Sequence, residues 1–400
     1  MNEKVYALWF ASVCGAGSAA ADKAVTAFSS FKEIYEAPAE KLKEAGISER
    51  SPLYSADKDL TSFENAVISY AEKDIKIVSC FDSDFPSRLK NIRPAPAVLF
   101  VKGNLPRENS LSIAAVGTRK STRYGEKVSY KICRLLSESG VTVISGMAKG
   151  NDGFALMGAL DGGAPPFAVL GTGVDVVYPK ENKDIYDAIL TAGGGIISEC
   201  FPGAAPFPAN FPKRNRIMAG LANGVLVTEA PKSSGALITA HYALEYGKDV
   251  FAVPGSLFSR ESDGVNMLIR DGKAKPVLNH LDILEEYSGL FDFVPTENKD
   301  APAPAEREEK KEKKKKKAAF EAKAGTKKED LCDPAPFLPP ETGDEKSDKV
   351  LSLLASRPMH PSEIAELSGI PAPEVSAMMT VLELDGRIAP EAGGYFKRLV

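Results

Sequence analysis

The sequence predicts an α/β protein. A Rossmann-like, doubly wound, mainly parallel sheet forms its core, with a small all-α domain ahead of it and a winged-helix module behind it. Two patterns carry that prediction. Between about residues 75 and 290, short apolar and β-branched runs alternate with helical stretches, as in a parallel sheet covered on both faces. On either side the period changes to that of helices, and a charged tract flanked by Pro-Ala repeats separates the last module.

Residues 1–72 read as helices joined by short turns: "LWFASVCGAGSAAADKAVTAF", "FKEIYEAPAEKLKEAG" and "LTSFENAVISYAEK". Here "CGAGSAA" satisfies the G-x-G-x-x-A part of a dinucleotide fingerprint. The stretch Phe31–Ala45 is helical in pattern where that site needs a second buried strand, so the dinucleotide reading is rejected. Two readings of Gly15 and Gly17 stay open. One is a helix-hairpin-helix (SAM-like) turn presenting backbone N–H groups, the other a plain tight turn.

In the core, 75–290, candidate strands are 75–79, 97–103, 111–117, 141–145, 167–171, 195–198, 224–230, 249–255 and 274–278. Helices are expected at Tyr124–Ser139, Asn151–Leu160, Lys183–Thr191 and Ala236–Tyr246. An open parallel sheet binds its ligand beyond the carboxyl ends of its strands. The segments there are "GTRKST" (117–122), "SGMAKGND" (145–152), "GTGVD" (171–175) and "TEAPKSSGA" (228–236). Small residues such as Gly117, Thr118 and Gly171 let the backbone approach a ligand, and free N–H groups at helix N-termini attract anions. Arg119, Lys120, Lys149 and Lys232 add cations, and phosphate suits the set best.

A further segment, "NFPKRNRIMAGL", lies between two strands of the sheet. Its Lys213, Arg214 and Arg216 surround Asn215, just after Phe211-Pro212. Arginine grips phosphate bidentately, asparagine reads a base edge or orients an arginine, and a partly exposed phenylalanine offers a stacking face. The combination fits a nucleic-acid strand with exposed bases better than a solvated helix face. Pro212 is expected to hold Phe211 in an extended conformation. Glu199 and Glu229 close two strands, where catalytic carboxylates would sit, but pairing with the arginines at 214 and 216 is the preferred reading. His241 lies in an apolar helix and is expected to be structural.

No G-x-x-x-x-G-K-[ST] occurs, which excludes a P-loop ATPase, and no fingerprint for a nicotinamide cofactor follows a first strand. Five scattered cysteines and three histidines, none at ligand spacing, argue against zinc and for a reduced cytoplasm. No catalytic residue, metal or cofactor is expected. No run reaches the roughly 18 apolar residues of a membrane span. The opening "MNEKVYALWFASVCGAG" resembles an export leader, but Glu3 interrupts its charged start and Val13 is too bulky ahead of Cys14.

Residues 291–344 are expected to be a disordered charged linker, because "EREEKKEKKKKK" (306–317) holds eight cations and four anions and cannot bury a core. From 345 to 400 the order helix, helix, turn, helix, terminal hairpin predicts a winged helix-turn-helix.

Several of these stretches, taken in order, resemble the DNA processing protein A (DprA/Smf) family: "AAVGTRKSTRYG", "VISGMAKGNDGFALMGAL", "AVLGTGVDVVYPKEN", "FPKRNRIMAGLANGVLVTEA" and "SGALITAHYALEYGKDVFAVPGS". The close match covers about 75–288. The resemblance implies a cytoplasmic bacterial protein that binds single-stranded DNA without catalysis and forms a homodimer through its core. It also implies RecA as a partner, loaded onto incoming strands during natural transformation. It places DNA contacts on Arg119, Phe211, Arg214 and Arg216, with Ser145-Gly146 and Ser234-Gly235 as backbone donors. Where the family has A-R-G-I-D followed by A-A-H, this chain has Lys149, Asn151 and Phe154. Lys149 keeps the charge without the guanidinium fork, and Asn151 puts a polar group at an aliphatic position.

Two rival functions are weighed against this one. The segment Thr228–Thr239 distantly resembles the loop of nucleotide hydrolases of the lysine-decarboxylase-like fold, but "EAPKSSGALIT" lacks the double glycine of that loop. A winged-helix regulator is disfavoured because the expected recognition helix, 373–385, carries Glu374, Glu383 and Asp385 and no cation.

Overall fold

Strands buried on both faces need helices on both sides, and the core is built that way. The computed structural model describes residues 2–295, 345–354, 357–384, 387–391 and 395–398. Its main sheet comprises β1 (Ile75–Ser79), β2 (Val98–Gly103), β3 (Ser112–Val116), β4 (Thr142–Ser145), β5 (Phe167–Leu170), β6 (Gly195–Ser198), β7 (Gly224–Val227), β8 (Asp249–Ala252) and β9 (Lys275–Pro276). Their order is β1-β2-β6-β5-β4-β3-β7-β8-β9. From β6 across to β9 every pairing is parallel, and β2 runs antiparallel to both β1 and β6. The chain adds β4, β5 and β6 on one side of β3, then returns to add β7, β8 and β9 on the other. Such a reversal is where open α/β sheets bind ligands.

The expected strand at 274–278 shrinks to the two residues of β9: Val277 N still donates to Ala252 O at 2.9 Å, but the next rung would need an N–H from residue 254 beyond β8, which is a proline. The core helices are α6 (Ser87–Lys90), α7 (Arg123–Glu138), α8 (Asn151–Gly162), α9 (Lys183–Thr191), α10 (Asn210–Leu221), α11 (Ala236–Glu245), α12 (Asp263–Arg270) and α13 (Leu281–Glu286), numbered after the five N-terminal helices given below. Successive side chains of a strand face opposite sides. Accordingly Ile113 and Ala115 of β3 pack with Ile132 and Leu136 of α7 and Ala159 of α8. Ala114 and Val116 pack with Ile217 and Leu221 of α10 and Ala240 of α11.

The carboxyl end of α10 is held by cations, as the partial negative charge of a helix C-terminus favours. Lys248 Nζ donates to the carbonyls of Gly220 and Ala222, and Arg88 Nη1 donates to that of Leu221 at 3.1 Å. Burial, with Arg88 nearby, pushes the Lys248 ammonium down to about 8.

The five N-terminal helices are α1 (Glu3–Cys14), α2 (Ala19–Ala27), α3 (Phe31–Glu36), α4 (Ala39–Glu44) and α5 (Thr61–Glu72). Side chains of Asn2, Ser18 and Ser30 accept from backbone N–H groups at the starts of α1, α2 and α3, satisfying donors that a helix start leaves unpaired. Leu8, Trp9 and Phe10 of α1 pack with Phe31 and Ile34, and the same apolar cluster runs on into Phe100, Leu170 and Ile196 of the sheet. These helices and the core therefore share one hydrophobic interior.

One buried ion pair ties them further. Arg216 of α10, fully buried, bonds Glu199 at the end of β6. The Gly17 N–H, in the turn between α1 and α2, also donates to that carboxylate. A Cβ on Gly17 would stand 3.1 Å from Arg216 Nη2, and its φ of +66° already favours glycine. The turn left open between two readings thus points its Gly17 N–H at the core.

Beyond α13 the chain stays packed through Phe291 and Phe293, which lie against the third core cluster, and Val294 N donates to Ser139 O at 3.2 Å. The lysine run 306–317 and the rest of the expected linker from 296 lie outside the described residues. The C-terminal unit has helices Glu345–Leu353, Pro361–Ser368 and Ala372–Leu384, followed by antiparallel strands β10 (Ile388–Glu391) and β11 (Tyr395–Arg398). Val350, Ile364, Val375, Met379 and Leu382 form its core. On its third helix Glu374 is paired with Lys346. Asp385 lies outside the described residues. Among the described residues no helix is long and apolar enough to cross a membrane.

Removing one partner of a buried ion pair leaves a charge uncompensated. Glu199→Ala is therefore expected to lower the unfolding free energy by about 3–5 kcal/mol in a urea titration. The exposed Glu245, which faces His241 on α11, should cost under about 1 kcal/mol when changed to Ala. Equal midpoints for the two variants would show that the Arg216 pair does not hold the N-terminal helices in place.

Candidate nucleic-acid interface

At the carboxyl ends of β3, β4 and β7 lies a crevice of about 490 Å³. The loop after β3 supplies Gly117 and Arg119, α10 supplies Phe211, Arg214 and Asn215, and Ser234-Gly235 close it in front of α11. Seven of the fifteen residues expected at the site line it, and three of the four loops singled out at this edge reach it together with α10.

Phe211 departs from its expected conformation. Helix α10 begins at Asn210, so Phe211 sits in the first helical turn and not in an extended lead-in. Pro212 is tolerated there because the first turn has no carbonyl partner for its missing N–H. The ring is half-buried. It lies 5.2 Å from the Arg119 guanidinium and 5.6 Å from the Tyr178 ring, centroid to centroid, at 39°. Its inner side rests on Gly171, where an added Cβ would stand 3.0 Å from Phe211 Cδ1.

Arg214 forms the floor. Its guanidinium is buried, Nη1 donates to the Val169 carbonyl, and Nε has no protein partner. A Cβ on Gly146 would stand 2.0 Å from Nη1, so only glycine lets this side chain through. Opposite it is Asp152, also buried, which accepts from Gly117 N at 3.2 Å and from the N–H groups of Gly146 and Ala148. Burial pushes the Asp152 carboxyl up, against the pull of Arg214 and those three N–H groups. Burial likewise pushes Arg214 down, to about 10, with Asp152 opposing, so the guanidinium stays charged at neutral pH.

The same carboxylate accounts for one correction. Ser145-Gly146 was expected to offer free donors to a ligand, but the Gly146 N–H goes to Asp152 and Ser145 Oγ donates to Ala115 O at 2.6 Å. A buried carboxylate requires hydrogen bonds, and the glycine turn provides them. Thr118 is also buried, its N–H donating to Glu229 O at 2.7 Å. Asn215 Nδ2 donates to Gly235 O at 3.1 Å and so joins α10 to the loop after β7. Lys120 and Lys213 are exposed. Arg216 points away to Glu199, whose carboxyl burial pushes up against the pull of Arg216. Glu229 receives no arginine. It accepts from Thr122 N and Oγ1 at 2.9 and 2.7 Å. His241 is exposed, with Nε2 3.2 Å from Glu245.

The three departures from the family pattern each find a place. Lys149 pairs with Glu181 at 2.6 Å on the surface. Asn151 is buried, and its Nδ2 donates to Thr228 Oγ1 at 2.9 Å, which partly satisfies the polar group. Phe154 lines a shallow apolar groove with Met157 and Ile185, on α8 and α9. Tyr178 and Asp152 are the site residues that the sequence did not single out. Asp152 stood inside a quoted glycine loop, at the head of α8, and Tyr178 in a stretch with no periodic signal.

The core and the C-terminal unit each match known proteins. The family model described as DNA recombination-mediator protein A matches residues 76–288, and a DprA winged-helix model matches 333–394. Protein Smf of Escherichia coli is 35% identical over 317 residues, covering 79% of this chain and 76% of that protein. The DNA processing protein DprA of Streptococcus pneumoniae is 44% identical over 211 residues, covering 52% of this chain and 73% of its own. The X-ray structure of the S. pneumoniae protein superposes with a TM-score of 0.61 at 34% identity, covering 74% of this chain and 100% of that one. With both a family model over more than half its length and a relative of that similarity, the chain belongs to the DNA recombination-mediator protein A (DprA/Smf) family.

Proposed function

We propose that the protein is a single-stranded DNA-binding recombination mediator, acting in the cytoplasm as a homodimer formed through its core. It would protect incoming strands and load RecA onto them during DNA uptake, without catalysing a reaction. One observation carries the DNA-binding half: a half-buried Phe211 ring, flanked by Arg119 and Tyr178, lines the same crevice as a buried, charged Arg214. Aromatic faces receive bases of any sequence and cations receive the backbone, as proteins that bind single strands without sequence preference require. Asp152, the carboxylate facing this crevice, is committed to three N–H groups, which argues against a general acid or base there. Relatives named as DNA processing proteins support the same reading.

A mobility shift with oligo-dT, duplex DNA and RNA at two salt concentrations tests the proposal, with oligo-dT expected to bind tightest. The RecA step is tested separately, by the rate of RecA assembly on a strand coated with single-strand binding protein. A rate unchanged by this protein would remove that half of the proposal.

Arg119 is exposed, so Arg119→Ala should leave the melting temperature unchanged. It should weaken oligo-dT binding by about 1–3 kcal/mol and reduce the salt slope by roughly 0.7, one single-strand phosphate contact. Arg214→Ala should behave differently, losing both affinity and fold stability, because it leaves Asp152 buried without its cation. An unaltered melting temperature for Arg214→Ala would contradict the buried geometry.

Phe211→Ala should weaken oligo-dT binding by about 1–3 kcal/mol, the range for stacking on one base. Its effect on stability should fall well short of the roughly 3–5 kcal/mol of a core phenylalanine. Gly171→Ala presses on the same ring from below and should reduce affinity by a smaller factor. Wild-type affinity in Phe211→Ala would remove the ring from the DNA path.

A further inference from the structure

The loop after β8 carries the most exposed apolar side chains of the core, Leu257 and Phe258, at 84% and 101% of full exposure. Exposed apolar side chains mark contact sites when they are contiguous, and these two are adjacent in one turn. The loop is held at several points. Gly255 exchanges two hydrogen bonds with the Asn266 side chain, 3.1 and 3.0 Å long. Ser256 accepts from Ser259 N at 3.1 Å through its carbonyl and from Phe258 N at 3.2 Å through its hydroxyl. Tyr124 Oη of α7 donates to Pro254 O at 2.8 Å, fixing the base of the loop against the segment that follows the Arg119 loop.

Because β3, β7 and β8 are parallel neighbours, this loop leaves the same edge of the sheet as the crevice. Two strand spacings separate β3 from β8, about 10 Å. On the segments that leave this edge after β3, β7 and β8, Lys120, Arg123, Lys232 and Arg260 are exposed, and so is the Tyr124 ring, while the acidic Glu126, Glu261 and Asp263 of the same segments are half-buried. A ring presented by a tied turn, reached across exposed cations from a crevice that already holds a ring, repeats the composition of the crevice itself.

We infer that the Leu257-Phe258 turn is a second stacking station for the same nucleic-acid strand, extending the bound segment from the crevice across β7 to β8. This rests on the single-strand reading of the crevice. The occupant is the continuing strand, because the exposed cations of these segments carry charge complementary to phosphate. A face used by another protein would have a polar rim around an apolar centre, with charge depleted at its middle.

The test uses the full-length protein as wild type, Phe258→Ala and Phe211→Ala, each titrated with dT20 and sedimented without DNA. The Phe258 ring is fully exposed, so its removal should leave the melting temperature and the sedimentation unchanged. Affinity of Phe258→Ala for dT20 is expected to fall roughly five- to a hundredfold, the range for losing one stacked base. Wild-type affinity in this variant would overturn the inference, and a simultaneous loss in Phe211→Ala would leave the crevice intact as the site. A changed sedimentation coefficient in Phe258→Ala would also overturn it, assigning the turn to contact between copies of the chain. Wild-type protein that failed to bind dT20 would instead defeat the reading of the crevice itself.

Discussion

Helix α10 carries two buried arginines two residues apart, and the rest of the core is arranged around compensating them. Residues separated by two positions lie about 200° apart around a helix axis. Arg214 therefore enters the floor of the crevice while Arg216 turns to the N-terminal helices. Burying an ion costs several kcal/mol unless it is paired and hydrogen-bonded. Arg214 meets that cost with the Val169 carbonyl and with Asp152 opposite it, and Arg216 meets it with Glu199. At the far end of α10, Lys248 and Arg88 satisfy the last carbonyls. The helix that presents Phe211 is thus fixed along its length by charge, and the orientation of the ring follows from that.

The same compensation explains the glycines at the site better than loop flexibility does. Gly146 is small so that Arg214 can pass, Gly171 so that Phe211 can lie against the backbone, and Gly17 so that the N-terminal turn can approach Arg216. Each removes a side chain where a charged or aromatic group from another element has to fit. A segment that appears from its composition to be a phosphate cradle can then spend its N–H groups on a neighbouring carboxylate, as the Gly146 turn does for Asp152. The groups left facing the crevice are fewer than the composition suggests: Arg119, the Phe211 ring and the Ser234-Gly235 rim, where the Ser234 N–H already donates to the Pro231 carbonyl at 2.9 Å.

How much of this was legible in the sequence depended on whether the signal was local. Strands β3, β5 and β7 could be read because both their faces are apolar, and helix α9 could be read to the residue. β9 could not, because its length is limited by Pro254 on the neighbouring segment and not by its own apolar run. The cluster around Asn215 singled out α10, which lines the crevice, since three cations in four residues are a compositional signal. Which cation faces the ligand was not legible. It is decided by Glu199 from β6 and Asp152 from α8, about 17 and 62 positions earlier in the chain, and only the fold brings those carboxylates to the helix. Tyr178 was missed for the same reason, since a lone tyrosine in a turn gains meaning only from the ring it meets.

This division of the basic residues also determines what kind of binding the site can perform. An exposed cation such as Arg119 attracts phosphate at a distance and loses strength as salt rises. A desolvated cation such as Arg214 is screened far less, but it contributes only when an acceptor reaches its fixed position. Phe211 shares the crevice with both, its ring 5.2 Å from the Arg119 guanidinium. A strand would therefore be drawn in by exposed charge and kept by stacking and by a buried donor, neither of which depends on the order of its bases. The Asn215 amide, whose Nδ2 is bonded to the Gly235 carbonyl, has one donor fewer for a base edge, while stacking and charge, the two contributions that Phe211 and Arg119 would make, do not depend on base identity.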